Sequence, residues 1–457
     1  MLFFFIYRHM TAMQQFNSYV SYTRLFILIL FFSSATSGVL LAQEYLIPGA
    51  NQTEPILLLG GTAHIGNGDV ISECGILLEE GRIVKVGSAT DFSAADRNRA
   101  RVIETAGMEI YPGFIAPETT LGLVEISAVR ATRDQSEVGP YTPNVRALIA
   151  YSTDSKIIPT VRSNGVLVAR ITPEGGRITG TSSVVHLDAW NWEDAALLAD
   201  DGIHLNWINL YRRSGWWTGG GVQRNDKYDD EYRELQTFFD EAAAYARNAA
   251  PEERNLLFEG MKGLFDGSKQ LYIQADKARA ITEAVLFAGR YDLKPVITGG
   301  SEAWKVADFL RDNGVAVILD RTHRLPEYPH TPVDQPYKTP AILHEAGVTF
   351  CIGIVGSDGF WQQRNLPFHA GHAVGYGLPY EAAVQAITLD AARTLRIDDR
   401  CGSLEEGKDA TLFVSEGDAL DMATNNVVHA WIQGRRVDLN NKQKMLYRKY
   451  QTKYSRN

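Results

Sequence analysis

Ten histidines, three cysteines and a scatter of carboxylates are the residues of this 457-residue chain that could hold a metal or move a proton. Cys74, Cys351 and Cys401 allow one disulfide at most, which excludes a stapled scaffold and a cysteine-built zinc site. His369 and His372 sit at i and i+3, where one helical face presents both, but no third ligand is close in sequence and they read as structural. His186 ends the apolar run Ser183 to Leu187 beside Asp188. It is either a ligand-facing residue at a strand end or a hydrogen-bonded structural one. No Ser-His-Asp order, nucleophile elbow, phosphate loop or dinucleotide fingerprint is present. A mixed-charge stretch, Glu125, Arg130, Arg133, Asp134 and Glu137, reads as a solvated or internally paired loop. Trp190, Trp192, Trp207, Trp216 and Trp217 crowd one region beside Gly219-Gly220-Gly221, as a flap over a ligand or as core filling.

The elements that must position these residues follow from texture. With 45% hydrophobic and 22% charged residues the chain is an ordinary globular one. A net charge of -9 argues against a nucleic-acid partner. Arg24 and the apolar run Leu25 to Leu41, ending in small residues before Ala42-Gln43, read as an export signal, with an uncleaved anchor as the alternative. The mature protein is then expected to be periplasmic or secreted, with no later spanning segment. Pro55 to Ile110 carries short strands, with a hairpin turning at Glu80-Gly81. From Ile110 onward apolar strands alternate with helices: Gly165 to Ile171, Ser183 to Leu187, Leu271 to Ala275, Pro295 to Thr298, Val315 to Leu319 and Val348 to Ile354. That alternation predicts a parallel sheet with helices outside. Two consecutive helices, Asp229 to Ala249 and Glu252 to Phe265, interrupt it. Short strands return from Gly402 to Val437. The tail from Asn441 holds six Lys/Arg and no acid, and reads as a solvated cationic helix, with a role at an anionic surface as the alternative.

Three motifs together resemble the amidohydrolase superfamily, nearest its imidazolonepropionase-like branch. They are Gly60-Gly61-Thr62 with Glu80-Gly81-Arg82-Ile83-Val84-Lys85-Val86-Gly87, then Met108-Glu109-Ile110-Tyr111-Pro112-Gly113-Phe114-Ile115, then Gly402 to Leu412. The resemblance implies an α/β fold: a TIM-type (β/α)8 barrel with a small β-sandwich built from both chain ends. The expected division is signal 1–43, sandwich 44–111 and 397–440, barrel 112–396 and basic tail 441–457. It also implies hydrolysis of non-peptide C–N bonds, as in cyclic amides, through a divalent metal held by a His-x-His pair, two further histidines and an aspartate.

The sequence departs from that ligand set. Glu118 and Thr120 stand at the His-x-His positions, Gln274 at the third, Gly299 or Thr298 at the fourth, and Asp358 matches the aspartate. The expectation is therefore a site without metal or other cofactor. Glu118 and Asp358 are its catalytic candidates; Thr120, Gln274, Asp276 and His186 are its ligand-binding candidates. The fold's usual hydrolysis and a catalytically inactive, ligand- or partner-binding protein are the two functions to separate, with a small molecule the expected ligand.

Overall fold

A computed structural model describes residues 47–213, 221–248, 253–356 and 359–455. The expected signal, Trp216, Trp217 and Asp358 lie outside the described residues. β1 (Ile56–His64), β2 (Val70–Glu79) and β3 (Arg82–Ser88) form an antiparallel meander. The turn falls at Glu80-Gly81, where φ is 50° and 79°. Two successive positive values match the twist that a two-residue hairpin needs. β4 (Arg101–Glu104) and β5 (Glu109–Pro112) both run parallel to β1.

The chain then enters the barrel through β6 (Phe114–Thr119), followed by β7 (Val166–Ile171), β8 (Ile178–His186) and β9 (Ala196–Asn206). A two-stranded ribbon, β10 (Tyr211–Arg213) and β11 (Val222–Arg224), stands apart from it. The barrel resumes with β12 (Gln270–Ala275), β13 (Val296–Gly299), β14 (Ala316–Leu319) and β15 (Phe350–Ile352). These eight strands, in the order β6-β7-β8-β9-β12-β13-β14-β15, curl into a nearly closed barrel of the expected TIM type. Helices Tyr228–Arg247 and Leu256–Phe265 fill the interruption, as the sequence predicts.

Alternation along each strand sorts the side chains. Ile115, Val168, Val184, Tyr272, Val296, Ile318 and Cys351 gather in one cluster inside the barrel. Their strand neighbours Phe114, Leu167, Leu271, Ile273, Ile297, Val317 and Ile352 pack in another, which also holds helix residues such as Ile281, Ala284, Leu310 and Leu343.

One strand breaks the parallel pattern. A short loop carrying Gly175-Gly176 turns β7 back into β8, and β8 pairs antiparallel with both β7 and β9. After the barrel, β16 (Leu412–Ser415) pairs antiparallel with β5, and β17 (Val427–Ile432) and β18 (Arg435–Arg436) extend that edge. Strands from both chain ends thus share one sheet. All three cysteines are free and buried. Among the described residues no helix is long and apolar enough to cross a membrane.

Candidate functional site at the barrel mouth

Two residues beyond each inward apolar side chain, the same alternation delivers a polar one at the strand's C-terminal end. Val168 is followed by Arg170, Tyr272 by Gln274, Val296 by Thr298 and Ile318 by Asp320. Catalytic groups of such barrels come from this end. Glu118, near the end of β6, completes the layer.

Arg170 is fully buried, and its Nη2 donates to Glu118 Oε2 at 3.2 Å. The guanidinium carbon lies 3.5 Å from the Tyr272 ring centre, and His204 stacks on the same ring at 5.0 Å. Tyr272 donates to Asp201 at 2.8 Å, and Asp201 accepts from Ser182 at 2.7 Å. A polar chain therefore runs down the barrel from Glu118 to Ser182. Burial pushes the Glu118 carboxyl up to about 7; Arg170 and Thr298 oppose that rise, while Asp320 and Asp276 add to it. Burial likewise raises Asp320 and holds His204 well below the ordinary histidine value. Gln363 donates to the backbone oxygens of Glu118 and Ile354, fixing β6 against the segment after β15.

Several buried atoms around this layer have no hydrogen-bond partner: Arg170 Nε and Nη1, His204 Nε2, Thr120 Oγ1 and Gln363 Oε1. Orphaned buried polar atoms are uncommon, and a group of them marks a place where a ligand or water belongs. A small cleft of about 20 Å³ is lined by Ser301, Glu302, Trp304, Arg324, Tyr328 and Gln335; Ser301 reaches Asp276 and Arg324 reaches Asp320.

The structure brings most sequence-predicted residues here. Thr120 lies two residues beyond Glu118 and is buried; Gln274 faces the open end and is exposed. Asp276 Oδ1 accepts from Ser301 Oγ at 2.6 Å. It also explains Gly299: a Cβ there would meet Asp276 Oδ1 at 2.8 Å, and φ is 90°. No larger residue fits that approach.

His186 belongs elsewhere. Because β8 runs antiparallel, His186 pairs with Val168 near the start of β7, toward the other end of the barrel. Burial and the charges of Arg400 and Arg435 take it down to about 3. His369 and His372 lie on helix Leu366–Gly375, where the His323 N–H donates to His369 Nδ1 at 3.3 Å. Among the described residues no group of three or more His, Cys, Asp or Glu is placed to hold a metal ion.

Of the described tryptophans, Trp207 is core, edge-on to Phe287, whereas Trp190 is 66% exposed. The charged loop is internally tied, with Glu125 accepting from Ser155 Oγ and the Lys156 N–H. Sequence reasoning missed Arg170, His204 and Asp320. The signal for Arg170 was a lone arginine inside an otherwise apolar strand, Val166–Ile171.

The class is thus a TIM-type barrel with a polar layer at its C-terminal mouth. Residues 373–438 match the family model described as "Amidohydrolase family". An amidohydrolase from Thermotoga maritima superposes with a TM-score of 0.70 at 21% identity, covering 84% of this chain and 99% of its own. A putative prolidase from Bifidobacterium longum gives 0.52 at 17% identity, over 87% of this chain and 99% of that one. Molinate hydrolase gives 0.51 at 16%, over 86% and 96%. No curated protein sequence matches. The chain thus takes the same fold as these amidohydrolase and prolidase structures, the fold that the sequence motifs imply.

Proposed function

We propose that this chain is a metal-free binding protein on the amidohydrolase fold, taking a small polar ligand at the barrel mouth, and that its mature form is exported. The observation that carries the reading is the buried Arg170–Glu118 pair. A guanidinium is a permanent cation, so the carboxylate at the first metal position already has its positive partner. Thr120, Gln274 and Gly299 add a hydroxyl, an amide and no donor where imidazoles are needed. That set does not fit a zinc-type centre. The unpartnered Arg170 and His204 nitrogens suit a ligand with acceptor oxygens, a carboxylate or an amide carbonyl.

A second reading is hydrolysis of non-peptide C–N bonds in cyclic amides. It is favoured by the fold and by Glu118, whose acidity near neutrality suits proton transfer. Elemental analysis and melting with and without chelator separate the two readings from metal chemistry. The expected result is well under one equivalent of transition metal and an unchanged melting temperature. A stoichiometric metal overturns the proposal. Turnover of a cyclic amide that Glu118→Gln abolishes would establish the second reading.

Export rests on the run Leu25 to Leu41, and mass spectrometry of the native protein should find a start near Gln43 or Glu44. We also propose that 44–111 and 397–440 act as one unit beside the barrel 112–396, so that a chain truncated at Arg400 aggregates.

A further inference from the structure

Helix Lys442–Tyr454 has no buried residue. It is tied down at its start: Asn441 caps it by accepting from the Lys444 N–H at 2.8 Å and donates to Ser163 Oγ at 3.0 Å, and Thr160 donates to Gln443 at 2.9 Å. Its charges are Lys442, Lys444, Arg448, Lys449 and Lys453, with no acid, in a chain whose net charge is -9. At about 100° per residue these positions sort themselves. Leu446, Tyr447, Tyr450 and Tyr454 fall within one arc of about 100°, shared at the helix start by Gln443, which Thr160 holds. Lys442, Lys449 and Lys453 border it on one side, Lys444 and Arg448 on the other. The stripe is open: Tyr447 is 68% exposed, Tyr454 66%, Tyr450 48% and Leu446 40%.

A merely solvated helix has no need of such a stripe. Tyrosine pairs an apolar ring with a polar tip and suits the boundary between lipid headgroup and acyl chain. Lysines along both edges can extend to the phosphates while their stems lie on the apolar zone. Beside the helix, Lys444 and Arg448 line a groove of about 440 Å³ together with Arg436 and Asp438. Pairing this helix with its copy would oppose five cations to five, and an acidic body is poorly suited to nucleic acid.

We propose that helix Lys442–Tyr454 is an interfacial anchor that lies on an anionic lipid surface, with Leu446 and the three tyrosines at headgroup depth and the lysines on lipid phosphates. The test is co-sedimentation with vesicles, using a chain that starts at Gln43 so that the apolar run Leu25 to Leu41 cannot contribute; Pro48–Asn457 is a compact unit by itself.

Binding is expected to vesicles of phosphatidylglycerol and phosphatidylethanolamine, and at least about tenfold weaker binding to phosphatidylcholine, given the attraction of each cation to an anionic surface. Raising the salt should weaken it. The triple variant Lys442→Glu, Lys449→Glu, Lys453→Glu and the variant Tyr447→Ser, Tyr450→Ser, Tyr454→Ser should each lose the binding while keeping the parent melting temperature. Equal binding to both vesicle types, no binding, or binding that survives both variants overturns the proposal. So does tighter binding to a DNA or RNA duplex, or a dimer that the variants dissolve.

Discussion

Two clusters in this molecule set a cation against carboxylates and finish the arrangement differently. Where the sheet meets the barrel's outer helices, His64 uses both ring nitrogens, Nδ1 to Glu381 at 2.8 Å and Nε2 to Glu109 at 3.1 Å, and its ring stacks on Tyr111 at 4.4 Å. At the barrel mouth Arg170 spends one nitrogen on Glu118 and leaves Nε and Nη1 bare. Both ring nitrogens of His64 are bonded, as a structural clamp requires, and only Glu381 Oε2 beside them is left without a partner. Arg170 keeps donors in reserve, which is what a binding site requires. What separates the two clusters is the basic group at the centre: the His64 ring has no unused nitrogen, and Arg170 has two.

The largest effect should come from halving the mouth pair. Arg170→Met leaves Glu118 buried without its cation, and above pH 7, where that carboxyl is ionised, is expected to cost about 3–5 kcal/mol in denaturant unfolding. Arg170→Met with Glu118→Leu should recover most of that loss, since an apolar pair of similar volume can replace a buried ion pair. If the single variant unfolds like the parent, the mouth pair is not the buried unit described.

The clamp comes next. Hydrogen bonds to charged groups contribute roughly 1.5–3 kcal/mol each, so His64→Ala should cost about 2–4 kcal/mol, less than the sum because the carboxylates rehydrate. Burial lowers the His64 pKa, but the bonds and charges of Glu381 and Glu109 outweigh it and raise the value above 6.5. A raised folded-state value means the clamp stabilises fully below 6.5 and loses that contribution as pH rises through the folded value. Melting temperature followed upward from pH 6 should fall in the parent and stay flatter in His64→Gln.

Glu118 gives a smaller, separate slope. Its carboxyl rises from 4.5 to about 7, so the folded state binds the extra proton between those values. Its stabilising contribution is complete below 4.5 and is lost as pH climbs to about 7. Glu118→Gln should remove the slope in that window and leave the His64 slope above it intact. Two slopes that vanish together would mean the clusters are not independent.

Much of this was legible before any coordinates, and the reasons are local. β7, β12, β13, β14 and β15 are short apolar runs whose lengths suit buried strands, and the Glu80-Gly81 turn carries its own signature. β9 was not legible. Asp200-Asp201-Gly202 reads as a turn, yet Asp200 takes φ of 56° within the strand and Asp201 is bonded by Ser182 and Tyr272. The reversal of β8 was hidden for a related reason. Gly175-Gly176 marks a turn, but the turn alone does not say that the next strand stays in the barrel antiparallel, and His186 lands at the far end because it does. Glu118 could be singled out by its place in a motif. Its partner Arg170 lies 52 positions away, and only the barrel's register joins them.

The smallest expected effect tests the comparison most directly. Thr120 Oγ1 is buried and has no partner, so its hydroxyl is a desolvated group that gains nothing in the unliganded fold. Thr120→Val keeps the shape and replaces the hydroxyl by a methyl. Removing a buried polar group that was already unpaired relieves its desolvation cost, so stability should stay level or rise by up to about 1 kcal/mol. The same reasoning applied to His64 gives the opposite sign, because there the lost atoms were bonded. Urea unfolding of Thr120→Val beside the parent reads the difference. A loss above about 1 kcal/mol would mean that the hydroxyl is held, by water or by a neighbour, and the mouth would then be a finished cluster like the clamp. A level or raised stability, with weaker ligand binding, assigns that hydroxyl to the ligand.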